Sequence, residues 1–146
     1  MSVNLQFETQ QAIDNILVND PTLLALLGTG DALSILDNPT QYQFENNPYP
    51  FITYDTNEAE PFDSKTQTSQ EIFIQISAWS RSSNKKEAMD IISRIYTLLH
   101  NVDLSSAGIN NILTQQTGSS RVMEDDSLNF VLYHGIIEFR IIMEAI

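Results

Sequence analysis

The hydrophobic period changes within one stretch, between residues 73 and 99. Up to Trp79 the period is two, and Ile72, Ile74, Ile76 and Ala78 fall on one face of an extended segment. Beyond Asn84 the spacing becomes three and four, with Ala88, Ile91, Ile92, Ile95, Leu98 and Leu99 forming one helical stripe. The pattern predicts a strand that runs through a short polar turn into an amphipathic helix. Asn84 is placed to cap that helix, and Glu87 stands where a capping-box acid would. Laying the stripe on the isoleucine face of the strand begins a sheet-plus-helix core.

The same rules applied along the chain predict a helix from about Leu5 to Val18, with Ala12, Ile13, Ile16 and Leu17 on one side. Asp20-Pro21 restarts a helix as N-cap and first residue, and Gly28 is expected to end it in a left-handed conformation. Ala32 to Leu36 reads as a short strand. Asp37 to Pro50, with Pro39, Pro48 and Pro50, reads as a loop. Phe51 to Thr56 alternates as a strand, with Phe51, Thr53 and Asp55 facing away from Ile52, Tyr54 and Thr56. Asn57 to Ser69 is polar and broken by Pro61, so a flexible connection between paired strands is expected there. The loop reads either as a tolerated surface connection or as an arm that orders against a partner, and Phe62 within it, a lone aromatic without a cover, favours the arm.

After the central helix come a turn (His100 to Gly108), a strand from Ile109 interrupted near Gly118, a turn at Glu124 to Ser127, and a last strand from about Phe130 to Ile142. That last strand spans roughly 43 Å at 3.3 Å per residue. The central helix covers only about 24 Å. Val131, Tyr133, Gly135, Ile137, Phe139 and Ile141 share the face that the helix can reach. The opposite face carries Phe130, Leu132, Ile136 and Ile142, more apolar surface than a solvent face normally holds. These four residues and Phe62 are the candidate interface, and they point to an oligomer.

The expected architecture is a single α+β domain over residues 1–146, an antiparallel β-sheet with helices packed mainly on one face. An apolar fraction of 42% supports such a core. Seven basic residues against nineteen acidic ones give a net charge of -12, which argues against grip on nucleic-acid phosphates. The chain has no cysteine, and hence no disulfide or thiolate metal site. No apolar run is long enough to span a bilayer, and the N-terminus lacks a signal-peptide pattern, so no membrane partner and synthesis inside a cell are expected.

Candidate chemistry is sparse. Gly28-Thr29-Gly30-Asp31 lacks the lysine and the preceding strand of a phosphate loop and reads as a helix stop. His100 sits at a helix C-terminus and His134 in mid-strand, neither at a spacing that suggests a triad or a metal site. Glu124, Asp125 and Asp126 lack the alternating ligands of a calcium loop. Trp79 reads as the anchor of a core strand rather than a platform for a base or sugar. No catalytic residue, cofactor or metal ligand is expected, and a chain with surplus apolar sheet and no catalyst is built to assemble.

Three pieces in fixed order carry a family resemblance: Asn47-Pro48-Tyr49-Pro50-Phe51-Ile52-Thr53-Tyr54; Ile74-Gln75-Ile76-Ser77-Ala78-Trp79-Ser80-Arg81 leading into its helix; and Glu124-Asp125-Asp126 leading to Tyr133-His134-Gly135-Ile136-Ile137-Glu138-Phe139. With the Pro21 to Gly28 segment they resemble the tail-completion proteins, or tail terminators, of long-tailed bacteriophages. The Ala32 to Gln43 region departs from the pattern, since the family tends to carry a basic residue and a short strand there. The resemblance implies helices on an antiparallel sheet and a hexameric ring on the last ring of the tail tube, without enzymatic activity. Such a ring stops tube growth and offers the surface on which the head connector docks, while DNA passes without specific binding. The implied location is the head-proximal end of the virion tail, assembled in the cytoplasm of a bacterial host. Two alternatives stand beside it: another neck or tail-tube component, and a non-viral acidic module that binds a basic protein.

Overall fold

The computed structural model describes residues 4–37, 39–82, 84–125 and 131–146. The elements in chain order are α1 (Leu5–Val18), α2 (Pro21–Ala25), a 3-10 turn (Ala32–Ser34), β1 (Ile35–Leu36), α3 (Gln41–Asn46), β2 (Phe51–Pro61), β3 (Ser69–Ser80), α4 (Lys86–Leu99), β4 (Ile109–Asp125) and β5 (Leu132–Ala145). They build one five-stranded sheet in the order β1-β2-β3-β5-β4. β2, β3, β5 and β4 are antiparallel neighbours, while the two-residue β1 pairs with β2 in parallel, so the sheet is mixed.

The alternation in β3 does what its pattern dictates. Ile72, Ile74, Ile76 and Ala78 are fully buried, and Ile91, Ile95 and Leu99 of α4 pack into the same core. Ile13 and Leu17 of α1, with Leu23 of α2, complete that layer. The shortfall between one helix and a long strand is therefore made up by α1, which packs on β5, with α2 wedged against α1 and α4. Gly135 fixes how closely α4 approaches, because a Cβ there would lie 2.8 Å from Ile92 Cγ1.

Three local expectations are corrected. Asp37 to Pro50 is not all loop, for it contains α3. Thr40 accepts from the Gln43 amide and Gln43 Oε1 accepts from the Thr40 amide, a capping box that holds a short helix between flanking prolines. Gly28 is needed for close approach rather than for left-handed backbone. Its amide donates to Pro50 O at 2.8 Å, and a Cβ would sit 2.6 Å from Pro48 O; Gly30 carries the positive φ of +71°. Asn57 to Ser69 is not all connection: Asn57 through Pro61 pair with Ile74 through Gln70, and residues 62–68 link the two strands. Polar alternation on an edge strand reads as loop when no partner strand is in view. Asn57 is further tied to α1, donating to Gln10 Oε1 at 2.9 Å and accepting at its carbonyl from the Gln6 side chain.

The cap of α4 also differs in detail. Asn84 Oδ1 accepts from the Lys86 amide at 3.0 Å, whereas Glu87 turns away from the helix end and accepts from Ser80 Oγ at 2.7 Å. The end of β4 extends to Asp125, and the remainder of the expected Glu124 to Ser127 turn lies outside the described residues.

Candidate assembly surfaces

The sheet has two unlike faces. On the one away from α1 and α4, cross-strand register places Phe51 beside Trp79 and Trp79 beside His134. The indole and imidazole stack with centroids 3.8 Å apart, and Phe44 of α3 meets Trp79 edge-on at 5.0 Å and Phe51 at 5.6 Å. Tyr49 joins this group, its ring 4.7 Å from Phe51, with Arg81 over its other side. Its hydroxyl donates to Phe44 O. Burial pushes the Tyr49 phenol up to about 12, against the opposing pull of Arg81. Trp79 is thus the anchor expected from the sequence, and α3 is the roof over it.

Next to the aromatics lies a polar chain that spacing along the sequence did not reveal. Trp79 Nε1 donates to Thr53 Oγ1 at 3.0 Å, and Thr53 donates to Asp55 Oδ1 at 2.8 Å. Asp55 Oδ2 accepts from Gln75 Nε2 at 2.9 Å and from Ser77 Oγ. His134 Nε2 lies 2.8 Å from that same Ser77 oxygen and 3.9 Å from Asp55 Oδ2. Burial works to raise the Asp55 carboxyl, but the bonds from His134, Ser77, Gln75 and Thr53 outweigh it and hold the group below its ordinary value.

Serine, histidine and aspartate here do not form a catalytic triad. A triad needs the acid on Nδ1 and the serine hydroxyl on Nε2. In this cluster both partners stand at Nε2, and the serine proton is committed to Asp55, so Nε2 donates to serine rather than activating it. Ser77 is also fully buried and out of a substrate's reach. The cluster holds three strands in register. Only the β2–β3–β5 pairing brings positions 53, 55, 77 and 134 together, a signal invisible in local spacing.

The candidate interface residues separate. Leu132 and Ile142 are 1% and 5% exposed within the single chain, Ile142 being flanked in register by Glu71 and Leu113. Ile136 is half-buried, and Phe62 is 51% exposed at the β2–β3 turn. Phe130 lies outside the described residues. Arg140 and Glu71 pair across β5 and β3 and make this face partly polar. Its apolar groups therefore need less outside cover than their number in sequence suggested.

Open apolar surface lies instead at the outer edge of β4. Along its first half that edge is occupied by the segment after α4: Asn101 donates to Thr114 O at 2.8 Å, Ser105 Oγ accepts from Asn111 N at 2.9 Å, and His100 Nδ1 accepts from Gln116 N at 3.2 Å. Beyond Thr117 the register slips before Arg121, and Gly118 takes a φ of +66°. There the strand leaves a groove of about 430 Å³ against α4, lined by Met89, Ile92, Tyr96, Gln116, Arg121 and Val122 among others. This groove, missed in the sequence, depends on where the bulge turns the strand.

Among the described residues no group of three or more His, Asp and Glu side chains is arranged to hold a metal, and no helix is long and apolar enough to cross a membrane. No curated protein matches the chain. A solved chain described as "Virion of native gene transfer agent (GTA) particle" shares the fold with a TM-score of 0.79 at 16% identity, covering 99% of this chain and 100% of that one. The profile of the family described as Tail completion protein gp17 matches residues 11–144, nearly the whole sequence, and this chain belongs to that family.

Proposed function

We propose that this chain, a structural component of a phage tail, closes with copies of itself into a ring of six that caps the head-proximal end of the tail tube. The ring ends tube polymerisation and offers the surface on which the head connector docks. The observation that carries this reading is the apolar groove between α4 and β4, left uncovered in a member of the tail-completion family. Met89 and Tyr96 beside it are 51% and 41% exposed, a contiguous patch of the kind that marks a protein interface. In this reading the role of the ring is mechanical rather than catalytic. Assembly takes place in the cytoplasm of the bacterial host, before the filled head joins.

A net charge of -12 per subunit gives the ring a strongly negative field, and an acidic lumen lets DNA pass without adhering. Phe62 at the β2–β3 turn is a second contact, made with the tube or a neighbouring subunit. Counting the chain in purified particles tests the proposal. Six copies at the head-proximal end are expected. Copies distributed along the tube would instead indicate a tube component, and absence from particles a module that works elsewhere.

A further inference from the structure

We propose that neighbouring copies join head to tail, with Phe7 and the acidic edge of one chain seated in the Arg121 groove of the next. The inference rests on the ring reading and names the surfaces that close it.

The two halves of this contact stand at opposite edges of the sheet. The groove is at the β4 edge, beneath α4. At the β1–β2 edge, α1 presents Phe7, 57% exposed, over a shallow depression of about 310 Å³ that Asp14, Asp37 and Tyr54 help to line. α1 packs over β2, β3 and β5, and α4 over β3, β5 and β4, so both surfaces belong to the same helical layer. Two different surfaces on opposite edges cannot make a self-complementary contact. They make a heterologous one, which closes into a ring when the rotation per subunit divides a full turn.

Charge selects the partner. Arg94, Arg140 and Lys86 are each neutralised within the chain, by Asp20, Glu71 and Asp90. Arg121 forms no ion pair among the described residues and stands exposed at the groove. Asp14 and Asp37 likewise have no cation: Asp14 accepts from the Tyr54 hydroxyl at 2.8 Å and Asp37 from Gln10 at 2.9 Å. Subunits of charge -12 repel one another, so a contact that sets a cation opposite acid is favoured over one that does not. An exposed aromatic set among carboxylates matches an apolar groove that carries an unpaired guanidinium. A second copy of this chain supplies both.

The absence of cysteine makes the test clean. Gln11 lines the depression beside Phe7 and Ser120 lines the groove beside Arg121; both are exposed. The double variant Q11C/S120C, treated with a short thiol-to-thiol cross-linker, should give a ladder of covalent multimers ending at the ring. Each single variant should stay uncross-linked, and an equal mixture of the two singles should stop at dimers. Adding R121E to the double variant should reduce the yield at least tenfold with the circular dichroism spectrum unchanged. The experiment is run on free protein and on purified particles, with mass measured by light scattering for the former. Multimers that form without cross-linking through these positions overturn this contact and leave the ring standing. A chain that is monomeric in solution and single in particles overturns the ring and this contact together.

Discussion

His134 of β5 lies flat against Trp79 of β3, ring planes 12° apart, while its Nε2 meets Ser77. One side chain thus ties the aromatic cluster under α3 to the polar chain that ends at Asp55. Truncation to His134→Ala should remove a stacking partner and a hydrogen bond at once and cost about 2 kcal/mol. Urea unfolding followed by tryptophan fluorescence reads the change, since Trp79 is the only tryptophan.

Asp55 adds a pH dependence with a definite sign. Its carboxyl is held below the ordinary value in the folded chain, so its contribution is complete above the unfolded carboxyl pKa of about 3.9. The contribution disappears as pH falls through the folded value. Asp55→Asn should therefore be less stable than the parent at pH 7, with the difference closing in acid below about pH 4. A gap that persists unchanged into acid would show that the charge at Asp55 contributes nothing.

Arg94 and Asp20 join α4 to the start of α2 by two parallel bonds, Nε to Oδ2 at 2.9 Å and Nη2 to Oδ1 at 2.8 Å. Asp20 also accepts the Leu23 amide at 2.8 Å as N-cap. The hydrogen bond from Arg94 is the main force lowering the Asp20 carboxyl. Arg94→Met should leave the cap in place and lower the urea midpoint at neutral pH. The same sign applies as for Asp55: the loss should shrink as Asp20 protonates, which denaturant titrations from pH 7 down to pH 3 would follow.

Gly135 is where α4 comes down on the sheet. Gly135→Ala should push Ile92 outward and destabilise by about 1–2 kcal/mol, despite the better strand propensity of alanine. Because Ile92 also lines the groove, the variant should lose ring formation even where the fold survives. Thermal unfolding and light scattering on the same sample separate the two effects.

The main layer of this fold was legible because its residues obey one period each. α1 matched Leu5–Val18, and the β3-to-α4 switch appeared at Trp79 and Asn84. The signal for α3 is a capping box of Thr40 and Gln43 that spans only one turn, and the polar, proline-flanked stretch around it has the composition of a loop. The distal half of β2 was missed because Asn57, Glu58 and Glu60 lie on an edge strand, where water rather than packing sets composition. The Asp55–Ser77–His134 cluster and the Arg121 groove arise from register and a bulge, which are relations between distant segments. The overestimate at Leu132 and Ile142 has the same origin: alternation assigns a face but not what folds over it.

Duplex DNA provides a check on the charge argument. The purified chain should show no binding by fluorescence anisotropy even at low salt, where phosphate contacts are strongest. Saturable binding that weakens with salt would indicate a basic surface formed on assembly and would remove the acidic lumen.

Phe62 separates tube or subunit contact from fold. Phe62→Ser should leave unfolding unchanged, since its ring is half exposed, while the backbone bond from Phe62 N to Ser69 O at 2.9 Å keeps the turn closed. Incorporation into particles should fall. Normal incorporation would take this residue out of the interface.

Electron microscopy of particles produced without this chain tests the central claim most directly. A ring that ends tube growth and receives the head predicts tails of uncontrolled, excessive length that carry no heads. Tails of normal length joined to filled heads would contradict it.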